Sequence, residues 1–506
     1  MTIPNGPADT AGFGTSNIVQ LSLSADIEVD GITFEPGANN YSIATGESST
    51  LTLSGAGIVN NSDKLQTFSV ETGPSSVGII VLSNSASAGS NTSFTNHGGP
   101  FSSGIIVLVD SATAASSTVT NVGSTIPFQI GGFLQFSNNS SAENAVLTNK
   151  GGTLDDARGG QIGFGDTATA GNATITNEAG PKNSTGNTSG GVTAFSGNST
   201  AGNAIITNKG SATSGGTGGV TFIGGGTGTT DVGNATLIAE SGSNGGAGGQ
   251  IVFMPSSNGG TSRVELFGNG SLSSSQSPVN IGSLEGDGIV SSPITLSVGR
   301  NNLSTTFSGL LQSSLHLIKV GKGAFTLTGA NTYTAGTVVN SGTLVVANTT
   351  GSGTGTGSVQ VNGGTLSGSG VIAGMVTLGT GLGRGATLAP AIGQTQESLT
   401  IQGALNFKSD GVYQYTFKAN ADWTRADRVK ANGVTIDSGA AFKLRAQATG
   451  TLTPGLVITV LSNSAATPIS GTFSNLADGA IVRVGSNTLK ASYSGGDGND
   501  LTLTVQ

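Results

Sequence analysis

Few residues of this sequence could do chemistry, and the most suggestive set is Asp155, Asp156, Arg158 and Asp166. Two carboxylates placed on either side of a sugar ring can hydrolyse a glycosidic bond, and a polysaccharide lyase combines Ca²⁺-binding acids with a Lys or Arg base. About 28 residues later, positions 183–187 carry Asn and Thr instead of acids, and the stretch GTLDDARGG is typical of a solvated loop. The main support for an enzyme would be an analogy with enzymes that share the fold predicted below, and a shared fold does not establish a shared function. We therefore predict no catalytic residues.

Three other motifs resemble binding sites but lack the partners that such sites need. The stretch GGDGNDLTL (495–503) matches the turn of calcium-binding repeats, but it occurs once and a shared Ca²⁺ site needs successive copies, so we interpret it as a hairpin turn. The run GSGTGTG (351–357) is not followed by the Lys and Ser or Thr of a phosphate loop. His97 and His316 lie 219 residues apart in unlike contexts. We predict no metal, no cofactor and no histidine-based site.

The composition favours an elongated repeat protein over a set of compact domains. Glycine accounts for 85 of the 506 residues, 9% of residues are charged, and cysteine is absent. Hydrophobic residues still reach 35%, which argues against disorder, and 13 prolines are too few for collagen. The net charge of −8, with no basic cluster, predicts no nucleic-acid partner. Apolar runs such as 104–109 are far shorter than the roughly 20 residues of a membrane helix.

Two short motifs alternate through the first half of the chain and define a repeat of about 28 residues. One is a β-branched or aromatic run whose anchors, from Leu82 to Phe253, are 26, 28, 28, 31, 27 and 31 residues apart. The other, typified by TVTN and TITN, recurs at intervals of 25, 28, 28, 31, 31 and 27 residues. Because two independent measures agree, we infer a repeat array of short strands joined by Gly, Ser, Asn and Thr turns.

Stacking these units predicts an all-β fold, a right-handed parallel β-helix with a C-terminal β-rich capping domain. Strands of four residues cannot bury a face alone, whereas coiling lets each strand pair with its copy in the next repeat. Asn121, Asn149, Asn177 and Asn208 fall at equivalent turn positions, where their side-chain amides should form a column of hydrogen bonds from turn to turn. A stack of inward phenylalanines is expected from Phe136, Phe164, Phe195, Phe222 and Phe253.

The segment 320–346, VGKGAFTLTGANTYTAGTVVNSGTLVV, resembles the autotransporter-associated β-strand repeat of bacterial surface proteins. The matching positions are Gly321, Gly323, Leu327, Gly329, Asn331, Tyr333, Gly336, Val339, Gly342 and Leu344. Ala335 stands where a glycine is common, and residues 357–390 are similar to the turns that follow this repeat. The resemblance implies a secreted or surface-displayed passenger-type β-helix with structural or adhesive roles and no catalytic residues.

Residues 396–506 concentrate charge and aromatics, and the stretches 411–419 and 440–448 predict half-exposed antiparallel strands. We interpret this region as a cap that closes the last turn. The alternative is a carbohydrate-binding patch in which Tyr413, Tyr415 and Trp423 stack on sugars.

The first residues, MTIPNGPADTAGFG, predict no signal peptide, and no stretch predicts the membrane β-barrel in which self-exporting relatives end. Either a barrel has been removed or the chain is exported another way.

Five regions are therefore expected: an N-terminal cap with the first turns (1–72), the repeat array (73–270), irregular turns (271–319), the autotransporter-associated turns (320–395) and the C-terminal cap (396–506). The predicted function is that of a non-catalytic scaffold or adhesin outside the cell or on its surface. Its expected partners are glycans or cell-surface components. The alternative is a β-helix that binds or degrades polysaccharides.

Overall fold

The computed structural model describes residues 3–73, 76–99, 103–184, 186, 188–275, 278–292, 295–383, 385–390, 398–420 and 424–506. All regular elements in these ranges are β-strands. None of the described segments forms a helix that is long and apolar enough to cross a membrane. The chain divides into two compact units, Met1–Val279 and Asn280–Gln506.

The first unit is a parallel β-solenoid that places two strands in each turn. Most strands have four residues, and alternate side chains are buried, because the side chains of a strand point to opposite faces. The strands of sheet A are Gly6–Phe13, Ile27–Phe34, Thr50–Asn60, Ile79–Leu82, Ile105–Leu108, Phe133–Phe136, Gln161–Phe164, Val192–Phe195, Val220–Ile223, Gln250–Phe253 and Ser271–Ser274. The strands of sheet B are Gln20–Leu23, Ser42–Thr45, Gln66–Val70, Ser90–Asn96, Ser116–Asn121, Val146–Asn149, Thr174–Asn177, Ile205–Asn208, Thr236–Ala239 and Arg263–Leu266.

The third side of this solenoid is irregular. Single parallel bridges connect successive turns there, from Ser87 through Thr113, Ser141 and Thr169 to Thr200. The short strands of this side and its loops are Gly180–Lys182, Gly216–Thr217, Thr230–Asp231 and Ser257–Asn258. The repeats therefore vary in length on this side and in the turns, while the sheets keep their register.

Inward phenylalanines form the predicted stack over three turns. The rings of Phe136 and Phe164 lie 4.7 Å apart at 7°, and those of Phe164 and Phe195 lie 4.7 Å apart at 6°. Phe253 is also buried. The prediction for Phe222 is wrong: Ile223 pairs with Phe195 and points inward, so Phe222 pairs with Ala194 on the outer face and is half-buried.

The predicted column of amides is confirmed. In sheet B, Asn96, Asn121, Asn149, Asn177 and Asn208 are fully buried at paired positions of successive strands. Each Nδ2 donates to the Oδ1 of the next asparagine, at 3.3 Å for the first pair and 2.8 Å for the three that follow. The same Nδ2 atoms donate to backbone carbonyls across the solenoid, such as that of Val192 at 2.8 Å from Asn149. These bonds satisfy buried polar groups that the short strands alone leave unpaired.

The second unit continues the parallel pattern with shorter turns. The strand Val279–Ile281 lies at the division between the units, and Ile289–Ser291 pairs with Leu310–Gln312. Sheet C comprises Ser283–Gly286, Thr305–Phe307, Ala324–Leu327, Thr343–Val346, Gly364–Gly368, Ala386–Leu388, Gly411–Ala419, Ala441–Ala448 and Thr424–Ala426. Sheet D comprises Thr295–Val298, His316–Lys319, Thr337–Val339, Val359–Val361, Val376–Leu378, Leu405–Phe407 and Val434–Ile436. Sheet E comprises Val371–Ile372, Ser398–Ile401, Arg428–Ala431, Val457–Asn463, Asp500–Val505, Asn487–Gly495 and Ile481–Val484.

The C-terminal part of this unit differs from the predicted pairing. The strands Gly411–Ala419 and Ala441–Ala448 pair with each other in parallel, so the antiparallel prediction is wrong for this pair. Both continue the parallel ladder of sheet C, because Gly411–Ala419 also pairs in parallel with Ala386–Leu388. The end of Gly411–Ala419 does pair antiparallel, with the short strand Thr424–Ala426. Antiparallel pairing also occurs at the end of the chain, where Asn487–Gly495 pairs with both Ile481–Val484 and Asp500–Val505.

Candidate functional site

The acids that suggested a catalytic site lie at opposite ends of one strand. Asp155 and Asp156 precede the strand Gln161–Phe164, and Asp166 follows it. Four strand residues span about 13 Å, whereas the carboxyl groups of glycosidases lie about 5–9.5 Å apart. Asp155 is exposed, and the carboxylate of Asp156 accepts hydrogen bonds from the N–H and hydroxyl of Ser184, at 2.5 and 2.9 Å. This set therefore stabilises loops and does not form a carboxylate pair.

Asp166 instead lines a shallow polar groove at the edge of sheet A, which we call the Asp166 groove. Its cavity volume is about 560 Å³, within the range of about 300–1,000 Å³ of ligand pockets. Four successive turns contribute to it, so it is roughly 14 Å long. Its polar side chains are those of Gln135, Ser137, Asp166, Thr167, Ser196, Asn198 and Thr227. Its floor includes Gly165, where an added Cβ would lie 3.4 Å from the Gln135 Nε2 and 4.0 Å from the Ser196 Oγ.

Local hydrogen bonds hold the side chains of the groove in place. One carboxylate oxygen of Asp166 accepts from the backbone N–H of Asn138 at 3.0 Å. The Oδ1 of Asn198 accepts from the N–H of Thr229 at 3.0 Å. The Nε2 of Gln135 donates to the carbonyl of Phe136 at 2.8 Å and to the Ser137 hydroxyl at 3.1 Å. These contacts orient the side chains before any ligand arrives, which lowers the entropic cost of binding.

Among the amide and carboxylate side chains that line the groove, three polar atoms remain available. Within the described residues, Asp166 Oδ1, Gln135 Oε1 and Asn198 Nδ2 make no hydrogen bond. Two of these atoms are acceptors and one is a donor. No Lys or Arg is among the described residues that line the groove, so the carboxylate of Asp166 gives the groove a negative formal charge. The arrangement can therefore accept hydrogen bonds from hydroxyl groups and disfavours anions.

Sequence reasoning singled out Asp166 but missed the groove. Ser137, Gly165 and Ser196 occupy corresponding positions just after the sheet A strands, and Asp166 and Asn198 follow one and two residues further along their turns. Gln135 lies within its strand, where it pairs with Gly163. The signal was present as polar residues just after each sheet A motif. Which of them share a cavity depends on the stacking of the turns, which the sequence does not specify.

Uncharged polar rows cover the outer surface of sheet B. Thr95, Thr120, Thr148, Thr176 and Thr207 occupy paired outward positions on five successive strands. Beside them, exposed amides of Asn144, Asn172, Asn203 and Asn234 are linked turn to turn by hydrogen bonds of 3.1–3.2 Å. These rows present repeated hydroxyl and amide groups at the surface.

The other motifs that resemble binding sites form turns of the fold. The GGDGNDLTL stretch is confirmed as a hairpin turn, in which the Gly498 N–H donates to the Gly495 carbonyl at 2.9 Å and Asp500 accepts from the Asn463 N–H. In GSGTGTG, the Gly353 and Thr356 N–H groups donate to the carbonyls of Val371 and Tyr333. Among the described residues, no three His, Asp or Glu side chains gather to hold a metal ion.

The predicted sugar-stacking tyrosines lie inside the protein. Tyr413 and Tyr415 are fully buried in a cluster with Phe407, Phe442 and Phe473, with ring centroids 5.1–6.2 Å apart for the contacting pairs. Burial raises the pKa of both phenols. They are therefore unable to stack on a sugar at the surface, and Trp423 lies outside the described residues. His97 belongs to the first unit and His316 to the second.

The residues of the recognised motif in the second unit tie neighbouring turns together. Asn331 is buried, accepts from the Leu311 N–H at 2.8 Å and donates to the Gly353 carbonyl at 2.7 Å. The hydroxyl of Tyr333 lies 2.6 Å from that of Thr337. Burial raises the pKa of Tyr333 above its usual range, which this hydrogen bond partly offsets.

A buried lysine completes the motif. Lys319 is 1% exposed and faces the core of sheet D. Its Nζ donates to the carbonyls of Val320, Gly321 and Ser341, the last two at 3.2 and 3.4 Å. A Cβ on Gly342 would lie 2.8 Å from that Nζ, so glycine leaves room for the ammonium group. Burial lowers the pKa of Lys319 to about 8.

Residues 317–346, which contain these side chains, match a family model described as passenger-associated-transport-repeat. The resemblance to autotransporter repeat proteins is thereby confirmed, and the polar residues of the repeat serve to join its turns. The chain is also similar to the crystal structure of the Haemophilus influenzae Hap adhesin, with 14% identity over 98% of this chain and a TM-score of 0.31. It spans 64% of the length of that chain. No curated protein matches it.

Proposed function

We propose that this chain is displayed outside the cell, where it acts as a non-catalytic adhesive scaffold. The observation that carries the proposal is the passenger-associated transport repeat at residues 317–346. Asn331 and Lys319 of that repeat are engaged in holding neighbouring turns together, which suits a segment with a mechanical role. The uncharged Thr and Asn rows of sheet B supply a surface for many weak contacts.

A hydrolytic role has less support. Asp155 and Asp156 are separated from Asp166 by a strand, and Asp156 is engaged with Ser184. Polysaccharide cleavage would require acids at a closer and fixed separation. An adhesive role needs no such constellation, because many weak contacts summed over a repetitive surface raise the overall avidity.

The experiment has two parts. Surface display is tested by adding protease to intact producing cells and following the loss of the full-length chain. Adhesion is tested with beads that carry the purified chain, counted on cell layers and on albumin-coated glass. Loss of the chain from intact cells and selective retention of the beads are expected.

The same purified chain is incubated with plant, algal and bacterial polysaccharides, which are then assayed for new reducing or unsaturated ends. We expect none. New ends that disappear in an Asp155→Asn, Asp156→Asn double variant would contradict the non-catalytic proposal. Full protection from protease on intact cells would contradict surface display.

A further inference from the structure

We propose that the Asp166 groove binds a neutral oligosaccharide. The inference deepens the proposed adhesive function and rests on it, because it names a partner class for one surface of the scaffold. It concerns side chains of the first unit alone, and each of its steps follows from the groove described above.

The available atoms of the groove select the ligand. Asp166 Oδ1 and Gln135 Oε1 can each accept a hydrogen bond, and Asn198 Nδ2 can donate one. A sugar hydroxyl both donates and accepts, so neighbouring hydroxyls of a pyranose suit such a mixed set. A phosphate or a uronic acid carries acceptors and negative charge, and would face the Asp166 carboxylate without a lysine or arginine to balance it.

The shape of the groove agrees with this chemistry. Gly165 keeps its floor low, and Gly163 sits between Gln135 and Ala194 in the outward row of sheet A. A side chain at Gly163 would meet the Gln135 Oε1, since an added Cβ would lie 2.4 Å from it. A length of roughly 14 Å across four turns accommodates a short oligosaccharide better than a single sugar.

Half-buried aromatic rings lie on the same outward face. Phe222 continues the row of Gln135, Gly163 and Ala194 by one turn, and the tip of the Phe133 ring lies 3.5 Å from where a Gly163 Cβ would be. The C–H face of a pyranose packs on an aromatic ring. The outward position of Phe222 thus places an apolar surface beside the polar groove, as sugar-binding surfaces require.

The chain offers a matched control for the central residue. Asp110 occupies the corresponding turn two repeats earlier, with φ of 57° against 51° for Asp166. Its carboxylate accepts from the Asn84 N–H at 3.0 Å, as that of Asp166 accepts from the Asn138 N–H at 3.0 Å. Asp110 is not among the residues that line the groove. Asp110→Ala therefore removes the same kind of backbone hydrogen bond as Asp166→Ala, together with the one that Asn138 Nδ2 donates to Asp110 Oδ1 at 3.1 Å, and it removes no residue that lines the groove.

The test measures binding of four fluorescent hexasaccharides to the full chain: an α-1,4-glucan, a β-1,4-glucan, a β-1,4-mannan and a polygalacturonate. We expect at least one neutral hexasaccharide to bind. Asp166→Ala should weaken the affinity for that hexasaccharide about tenfold or more, because a hydrogen bond to a charged group is lost. Asn198→Ala should weaken the affinity too, and Asp110→Ala should leave it unchanged. Absence of neutral binding, preference for polygalacturonate, or equal losses in Asp110→Ala and Asp166→Ala would overturn the proposal.

The two proposals fail separately in these assays. Beads that adhere although no hexasaccharide binds would overturn the oligosaccharide inference and leave adhesive display standing. Hexasaccharide binding lost in Asp166→Ala, with beads that do not adhere, would overturn the adhesive function and establish the groove as a sugar site.

Discussion

The buried amide column makes a quantitative prediction for Asn149→Ala. Asn149 is fully buried and lies in the middle of the column. Its Nδ2 donates to Asn177 Oδ1 and to the Val192 carbonyl, both at 2.8 Å, and its Oδ1 accepts from Asn121 Nδ2 at 2.8 Å. Alanine removes these three hydrogen bonds together with a longer one from Asn149 Nδ2 to the Thr193 hydroxyl at 3.3 Å.

The loss is limited because the neighbouring amides keep other partners. Asn121 Nδ2 still donates to the Gln161 carbonyl at 3.1 Å, and Asn177 Oδ1 still accepts from the Thr193 hydroxyl at 2.9 Å. A net value of about 1 kcal/mol for each of the three shorter hydrogen bonds gives a cost of about 3 kcal/mol in the free energy of unfolding.

Asn172→Ala is the matched control. Asn172 also donates to one asparagine, at 3.2 Å, and accepts from another, at 3.1 Å, but it lies in the exposed row. Water replaces both partners there, so we expect a loss below about 1 kcal/mol.

The measurement is urea unfolding followed by circular dichroism, together with amide hydrogen exchange in peptides that cover 146–149 and 174–177. Asn149→Ala should lower the unfolding midpoint more than Asn172→Ala and speed exchange locally. Equal shifts in the two variants, or a cost for Asn149→Ala below about 1 kcal/mol, would refute the view that the buried column holds the turns together.

Two further predictions concern the core. Phe164→Ala should lower the free energy of unfolding by about 3–5 kcal/mol, because the ring is sandwiched between Phe136 and Phe195. Phe222→Ala should lower it by less than about 1 kcal/mol, because Phe222 faces outward. Equal midpoints of urea unfolding in the two variants would show that our orientation of Phe222 is wrong. The lowered pKa of Lys319, about 8 when folded against about 10.4 when unfolded, means that the unfolded chain binds more protons between these values. The free energy of unfolding should therefore rise with pH across that window, and Lys319→Met should remove this part of the rise. The same dependence of stability on pH in Lys319→Met and in the original chain would contradict this prediction.

Much of the fold could be predicted from repetition alone. Once a strand motif recurs about every 28 residues, parallel stacking brings equivalent residues together, because each strand pairs with its own copy. The column from Asn96 to Asn208 follows directly, since a buried polar residue repeated in register finds its partner in the next copy. The motif of residues 320–346 pointed to the passenger repeat in the same way.

The pairing of strands in the tertiary structure decided which side chains of a strand face the core. In VTFI (220–223) both Phe222 and Ile223 are apolar, so the alternation of side chains along a strand allows either to face the core. Pairing of Ile223 with Phe195 settles the choice and places Phe222 outside. The stretches 411–419 and 440–448 show the same limit, because alternating patterns do not distinguish parallel from antiparallel neighbours.

The Asp166 groove belongs wholly to the tertiary level. The sequence determined which polar residues follow each strand of sheet A, and it determined the period at which they recur. It did not determine that Gln135, Asp166 and Asn198 border one cavity, because that depends on how turns of different length stack. The physical reason is that strand register follows from local repetition, whereas the walls of a cavity are set by side chains from turns about 30 residues apart in sequence.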